Sequence, residues 1–268
     1  MTALKLNDIH LRFGGLHVLK GITVEFDGHG ICSLIGPNGA GKTSLVNVIT
    51  AAYTPSSGRV EWQEQDLTHF APHELIRLGI ARTFQNLEIF WTMSVRENVM
   101  AAAQSAHVPT LLPSLLKLPS VARAERQFMA RANEALERVG LEAYADRPSS
   151  ELPYGHLKLL EIARALALSP LLLLLDEPAA GCNPNETANI ARIIRSLADD
   201  GIAILLIEHD MKLVMSISDR VLVLDRGKII ADGMPDQVRN DPDVISAYLG
   251  PDLNGGNDPS TDEERAEP

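Results

Sequence analysis

Cysteine is almost absent from this 268-residue sequence, and its two thiols, Cys32 and Cys182, lie far apart. Two thiols make no disulfide framework, so a reducing compartment is the natural setting. Long apolar runs are missing as well. The longest suspect, Leu111–Leu118, lies in a stretch broken by Pro109, Pro113 and Pro119. That is far short of the roughly 20 apolar residues of a spanning helix, so the chain is not expected to cross a membrane by itself. Met1–Asp8 carries polar residues throughout and holds no apolar stretch of the kind a targeting segment needs. Basic residues are outnumbered, and the formal charge is −11. From Asn254 onward, five acids against Arg265 carry −4 of that, leaving −7 on the rest. An acidic body argues against a nucleic-acid protein, which presents a basic surface to phosphates. It leaves room for a small basic pocket around a nucleotide. No internal repeat is visible.

What is present is ordinary globular composition, 45% hydrophobic and 22% charged, enough for one large core or a core plus a smaller lobe. Leu4–Phe26 alternates apolar and polar positions around Phe13-Gly14-Gly15 and predicts two antiparallel strands with a Gly turn. Gly30–Ile35 is a short apolar run, with a helical pattern from Gly41 to about Ala52. From Pro72 to about Gly140 the signals are mostly helical, especially over Ala122–Val139, with a Pro-rich loop or short-helix insertion at Ala106–Ser120. Beyond it the pattern predicts helices at about Tyr154–Ala167, Asn185–Asp199 and through Val214. Strands are expected at Leu171–Leu175 and Ala203–Ile207, and a hairpin at Val221–Ile230. Apolar strands alternating with helices mean a parallel sheet covered on both faces. From about residue 251 the sequence is Gly, Asn, Pro and acid, and an acidic disordered tail is expected there.

Gly36-Pro37-Asn38-Gly39-Ala40-Gly41-Lys42-Thr43 fits G-x-x-x-x-G-K-[ST] and sits directly after a strand and at the start of a helix. The glycines let backbone N–H groups turn inward as an anion nest, and the helix N-terminus adds its positive dipole end. Lys42 brings a full charge to the β- and γ-phosphates, Thr43 is placed to ligate Mg²⁺, and Ser44 completes the first turn against the nucleotide. Leu171–Leu175 runs into Asp176-Glu177, so two carboxylates emerge at the C-terminal end of a buried strand, where open α/β sheets bind ligands. Alone, such a pair is an ordinary solvated strand end. Beside a phosphate loop, Asp176 becomes a Mg²⁺ ligand and Glu177 the group that polarises the attacking water.

These residues, with Phe13, Gln85 in Arg82-Thr83-Phe84-Gln85, Leu152-Pro153-Tyr154-Gly155-His156 and His209, occur in the order and spacing of ABC ATPases. The sequence resembles that family from Leu4 to about Gly250. The resemblance implies an α/β P-loop NTPase with a mixed sheet core, an antiparallel β lobe and a helical subdomain at about 86–165, forming a single domain over 1–250. Phe13 resembles the aromatic that stacks on adenine, Gln85 the glutamine that reaches Mg²⁺ and the attacking water, and His209 the switch histidine on the γ-phosphate. The roles of Phe13 and His209 rest on the resemblance, since a lone Phe is ordinarily core and a histidine at a strand end ordinarily surface.

Pro153, Tyr154, Gly155 and His156 stand where the family signature is usually Ser-Gly-Gly-Gln, the surface that meets the partner's nucleotide. Pro153 has neither the hydroxyl nor an N–H. Asn183 stands where many members have Asp. The Tyr-Gly signature, Glu177–Gly181, Glu208–Met211 and Ile245–Gly250 resemble the ATPases of branched-chain amino acid uptake systems, whose relatives serve amides, urea and other small polar solutes. ATP and Mg²⁺ are then the implied cofactors. The implied partners are a second ATPase subunit, homologous or identical, two transmembrane permease subunits and an extracytoplasmic solute-binding protein, with no nucleic acid. The implied location is the cytoplasmic face of the membrane, as a peripheral subunit. Three alternatives stay open: an exporter of lipid-like solutes, a DNA-repair, chromosome or translation ATPase, and a non-catalytic regulator. The repair and chromosome types carry a coiled-coil insertion that this sequence lacks, and the translation types usually hold two ATPase units in one chain. Only the altered signature supports the regulator.

Overall fold

The computed structural model describes residues 4–83, 87–105 and 119–249. Gln85, most of the Pro-rich piece and the acidic tail fall outside them. Two sheets organise the chain. Strands β1 (Leu4–Phe13) and β2 (Leu16–Phe26) form the expected antiparallel pair, with Phe13 opposite Leu16 at the turn. They join β4 (Ser57–Trp62) and β5 (Gln65–Asp66) in a four-stranded sheet of order β2-β1-β4-β5. The second sheet has order β10-β9-β3-β8-β7-β6, built from β3 (Ile31–Ile35), β6 (Ile80–Arg82), β7 (Leu172–Asp176), β8 (Ala203–Ile207), β9 (Arg220–Asp225) and β10 (Lys228–Gly233). The pairs β9–β3, β3–β8, β8–β7 and β7–β6 are parallel, and β10 turns back antiparallel on β9. The sheet is therefore mixed.

Among the described residues the α-helices are α1 (Lys42–Ile49), α2 (Pro72–Leu75), α3 (Val95–Ser105), α4 (Pro119–Val139), α5 (Tyr154–Leu166), α6 (Pro184–Asp199) and α7 (Met211–Ile217), with α8 (Pro235–Arg239) and α9 (Pro242–Leu249) after the last strand. Strand β6 interrupts what the residue pattern presents as helical from Pro72 onward. Three residues are too few to show a period of two, and β6 exists because its backbone pairs with Leu172–Leu174.

Burial explains why the parallel strands read as unbroken apolar runs. Leu173 and Leu175 face a core shared with α5 and α6, whereas Leu172 and Leu174 face a second core shared with α1 and the antiparallel sheet. Side chains alternate across a strand, so a strand covered on both faces leaves no position for a polar residue until it ends. For β7 that end is Asp176. The loop after β3, Asp176-Glu177 after β7, Glu208-His209 after β8 and Arg82 at the end of β6 all lie along the C-terminal edge of one parallel array, where such sheets bind ligands.

Candidate functional site

The loop Gly36–Gly41 turns from β3 into α1 with its backbone held against β9. Gly36 has φ +152°, and a Cβ there would overlap the Leu224 carbonyl oxygen. Only glycine lets the chain pass β9 this closely. Gly227 N–H donates to Ala40 O at 2.9 Å, anchoring the far side of the loop. The first turn of α1 holds no acidic residue, so the positive end of its dipole is uncompensated. Lys42 Nζ donates to Gly36 O at 2.7 Å and Pro37 O at 3.1 Å, folding its charge over the loop. Burial pushes the Lys42 ammonium below the usual lysine range, while the Glu177 and Asp176 carboxylates pull it back up. Thr43 is exposed beside it.

Asp176 is buried. Its Oδ2 accepts from the Arg82 guanidinium at 2.8 Å, and its N–H donates to Thr83 Oγ1 at 3.2 Å. Glu177 is bonded to β8 through its N–H to Ile207 O at 2.9 Å, and its φ of +49° is left-handed. That conformation costs a non-glycine residue on the order of 1 kcal/mol or more, and it turns the side chain out of the strand. Glu177 Oε1 lies 3.5 Å from His209 Nδ1. Lys42, Asp176, Glu177 and His209 thus meet at one sheet edge, an arrangement whose charges and carboxylates suit a polyphosphate and a water beside it.

Two charged residues in this site were not assigned a role from the sequence. Arg82 joins Asp176 to α1 by donating to Asn47 Oδ1 at 2.8 Å and Thr50 Oγ1 at 3.3 Å. Glu208, almost wholly buried, accepts from Ala179 N–H at 3.2 Å and His209 N–H at 3.1 Å. Burial pushes its carboxyl up, against the pull of those N–H groups. Both lie inside stretches that resemble the family, but the one signal for their own roles was a charged residue at the end of a buried strand. From α9, Tyr248 meets the Gly36 backbone, and burial pushes its hydroxyl up.

Removing one partner of a largely buried ion pair costs about 3–5 kcal/mol. Arg82→Met is expected at the lower end, because Asp176 borders the open site. At roughly 2–4 °C per kcal/mol for a chain of this size, its thermal midpoint should fall by about 6 °C or more. A shift under about 2 °C in differential scanning calorimetry would mean that the pair contributes nothing.

Phe13 is 48% exposed at the hairpin tip, with its ring edge-on to Tyr53 at 5.4 Å, so a face remains open for a base. The signature residues open α5. Pro153 is its N-cap with no side-chain cap bond, and Pro153 O accepts from His156 N–H and Leu157 N–H. Tyr154 is exposed, Gly155 is buried, and the His156 ring turns toward Tyr144 at 4.9 Å between centroids. Among the described residues no helix is long and apolar enough to cross a membrane.

Residues 19–180 match the ABC transporter family model, and residues 228–250 match that of branched-chain amino acid ATP-binding cassette transporters. The chain is 45% identical over 248 residues to the high-affinity branched-chain amino acid transport ATP-binding protein LivG of Escherichia coli, covering 92% of this chain and 97% of that one. It is 43% identical over 249 residues to BraF of Pseudomonas aeruginosa, which carries the same description, with the same coverage. Among solved structures, the ADP conformation of an ATP-binding cassette of an ABC transporter superposes with a TM-score of 0.82 at 34% identity, covering 93% of this chain and 99% of that one. A nucleotide-free ATP-binding cassette gives 0.81 at 33%, covering 93% and 100%. The chain belongs to the ABC transporter family, as an ATP-binding subunit and ATPase.

Proposed function

We propose that this subunit drives uptake of branched-chain amino acids or a similar small polar solute, working head to tail with a second ATPase subunit beneath two permease subunits fed by a solute-binding protein. The observation that carries the reading is the convergence of Lys42, Asp176, Glu177 and His209 at one sheet edge. In this reading Lys42 leaves the carbonyl oxygens of its own loop for the β- and γ-phosphates, and the backbone N–H groups of 36–41 cradle them. The exposed Thr43 hydroxyl and the Asp176 oxygen not taken by Arg82 fit a Mg²⁺ ion that keeps waters and phosphate oxygens as its other ligands, and Gln85 is assigned to the same ion. Mg²⁺ supplies neutralisation of charge on the phosphates. Glu177 takes the proton of the attacking water, and His209, 3.5 Å away, holds that carboxylate and meets the γ-phosphate. Phe13 stacks on the base.

The partner's ATP meets the N-terminus of α5. Its first two N–H groups, those of Tyr154 and Gly155, precede the bonds that His156 and Leu157 make to Pro153 O, and Pro153 offers no side chain to cap them. They are free for an anion even without the family's serine.

The permease side is the cleft between α2 and β6 on one side and helices α3 and α5 on the other. A cavity of about 380 Å³ lies there, lined among others by Glu88, Phe90, Glu161 and Arg164, and Trp91 and Met93, next along the chain from Phe90, are exposed as it is. Exposed aromatic clusters of this kind mark protein interfaces. Such a seat puts the subunit on the cytoplasmic face of the membrane. Trp91→Ser is expected to weaken assembly with the permease pair at least about tenfold, a modest hot-spot effect. ATP affinity of the isolated subunit should stay within twofold. Co-purification from detergent beside nucleotide titration checks it, and full assembly by the variant would move the interface elsewhere. Uptake of radiolabelled leucine, urea and an amide by the reconstituted transporter tests the solute, and transport of none of the three refutes it.

A further inference from the structure

Two contacts join α5 to the loop between β7 and α6 and to the first turn of α6, and each is one side chain seated where the other segment has glycine. A Cβ on Gly155 would lie 2.6 Å from Glu186 Cδ and 2.7 Å from Glu186 Oε1. A Cβ on Gly181, whose φ is +79°, would lie 3.1 Å from the Tyr154 ring. Gly155 therefore faces α6 along its Cα–Cβ direction, and its missing side chain makes room for Glu186. The two contacts are reciprocal: α5 supplies Tyr154 and a gap, and the loop with the start of α6 supplies Glu186 and a gap.

Glu186 is itself held. Its Oε2 accepts from Asn183 N–H at 2.9 Å, and its N–H donates to Asn183 Oδ1 at 3.1 Å, a capping box at the start of α6. The loop hangs directly from the catalytic strand. Ala180 N–H donates to Glu177 O at 3.1 Å, and Ala179 N–H to the buried Glu208.

We infer that Tyr154 and Glu186 are positioning residues that interlock the nucleotide-facing end of α5 with the loop carrying Glu177, so that both are presented to the partner subunit as one rigid piece. This rests on the head-to-tail reading above. A phosphate of the partner's ATP seated on α5 then bears on the loop that leads to this chain's own Glu177, and the two sites of the dimer are tied through Gly155–Glu186 and Tyr154–Gly181.

The test is a double-mutant cycle read in two ways. In thermal unfolding of the single subunit, Gly155→Ala is expected to lower the midpoint by about 4 °C or more, the cost of forcing a methyl into a filled space. In the Glu186→Ala background the same methyl should cost under about 1 °C, because the shortened side chain leaves room for it. Additive shifts overturn the interlock. In the Glu177→Gln background, ATP-driven dimer formation should weaken about tenfold with Glu186→Ala and with Tyr154→Ala. Glu186→Gln and Tyr154→Phe, which keep shape and cap, should restore it. Affinity of the Glu186→Ala monomer for a fluorescent ATP analogue should stay within twofold. A parallel loss of that affinity would place the effect in this chain's own site and overturn the proposal. If the Glu177→Gln parent fails to dimerise, alone and with the second ATPase subunit, the head-to-tail reading falls, and the thermal cycle judges the contacts by themselves.

Discussion

Glu177→Gln is expected to lower steady-state ATP hydrolysis by about 10²–10⁴-fold, the contribution of a positioned general base, while ATP stays bound. That loss is about 3–5 kcal/mol of barrier. The substitution isolates chemistry from structure. Glutamine has the same shape, so it keeps the left-handed backbone at φ +49° and the N–H bond to Ile207 O. It loses only the charge and the capacity to take a proton. Removing a negative charge beside the triphosphate also removes repulsion, so the variant should hold ATP and collect as a dimer in ATP and Mg²⁺. Phosphate release and gel filtration read the two arms. Hydrolysis within tenfold of the parent would take the base role from Glu177. A parent that binds ATP but neither hydrolyses nor dimerises, even with a second ATPase subunit added, would return the non-catalytic regulator to the front.

The parts of this site that were legible beforehand share one property: their function and their local structure are written in the same few residues. The phosphate loop needs glycine for its turn and lysine for its charge within one octapeptide, and it is found between β3 and α1 as the pattern requires. Strand β7 could be read because burial on both faces forbids polar residues until the strand ends, so the first acid marks the ligand edge. The hairpin of β9 and β10 was likewise local. What stayed hidden is set by partners distant in sequence. Strand β6 is defined by pairing with β7, some ninety residues on. Arg82 matters because Asp176 lies across from it, and nothing in Arg82-Thr83 announces that. Glu208 read as a family marker, and only the fold shows it gripping the backbone of the Glu177 loop. Gly155 looked like a phosphate-facing glycine, yet in space its open side is filled by Glu186. Local grammar named the candidate residues, and tertiary contacts determine how they are held.

Lys42→Met should cost ATP affinity about 10–10³-fold with little effect on the fold. The lysine bridges two neutral carbonyl oxygens, Gly36 O and Pro37 O, and on the proposed reading it exchanges them for anionic phosphate oxygens. A hydrogen bond to a charged group contributes about 1.5–3 kcal/mol against about 1 for a neutral one. Two such bonds, in a half-buried setting where screening is weak, account for the expected loss. Methionine keeps the length of the side chain and removes the charge. It frees two carbonyls at the mouth of the loop, where water replaces the lost donor, so the thermal midpoint should move by no more than about 4 °C. The same half-burial that lowers the pKa of Lys42 gives the affinity a pH signature. An ammonium whose pKa is depressed loses its proton earlier as pH rises, so ATP binding should weaken on the alkaline side sooner than an ordinary lysine would allow. The bound phosphates oppose this by holding the proton on, which makes the decline steeper for association to the free subunit than for release from the complex. Isothermal titration of ATP against parent and variant from neutral to alkaline pH reads both effects. Equal affinities, or a parent profile as flat as that of the methionine variant, would mean that the backbone nest and the α1 dipole hold the nucleotide without Lys42.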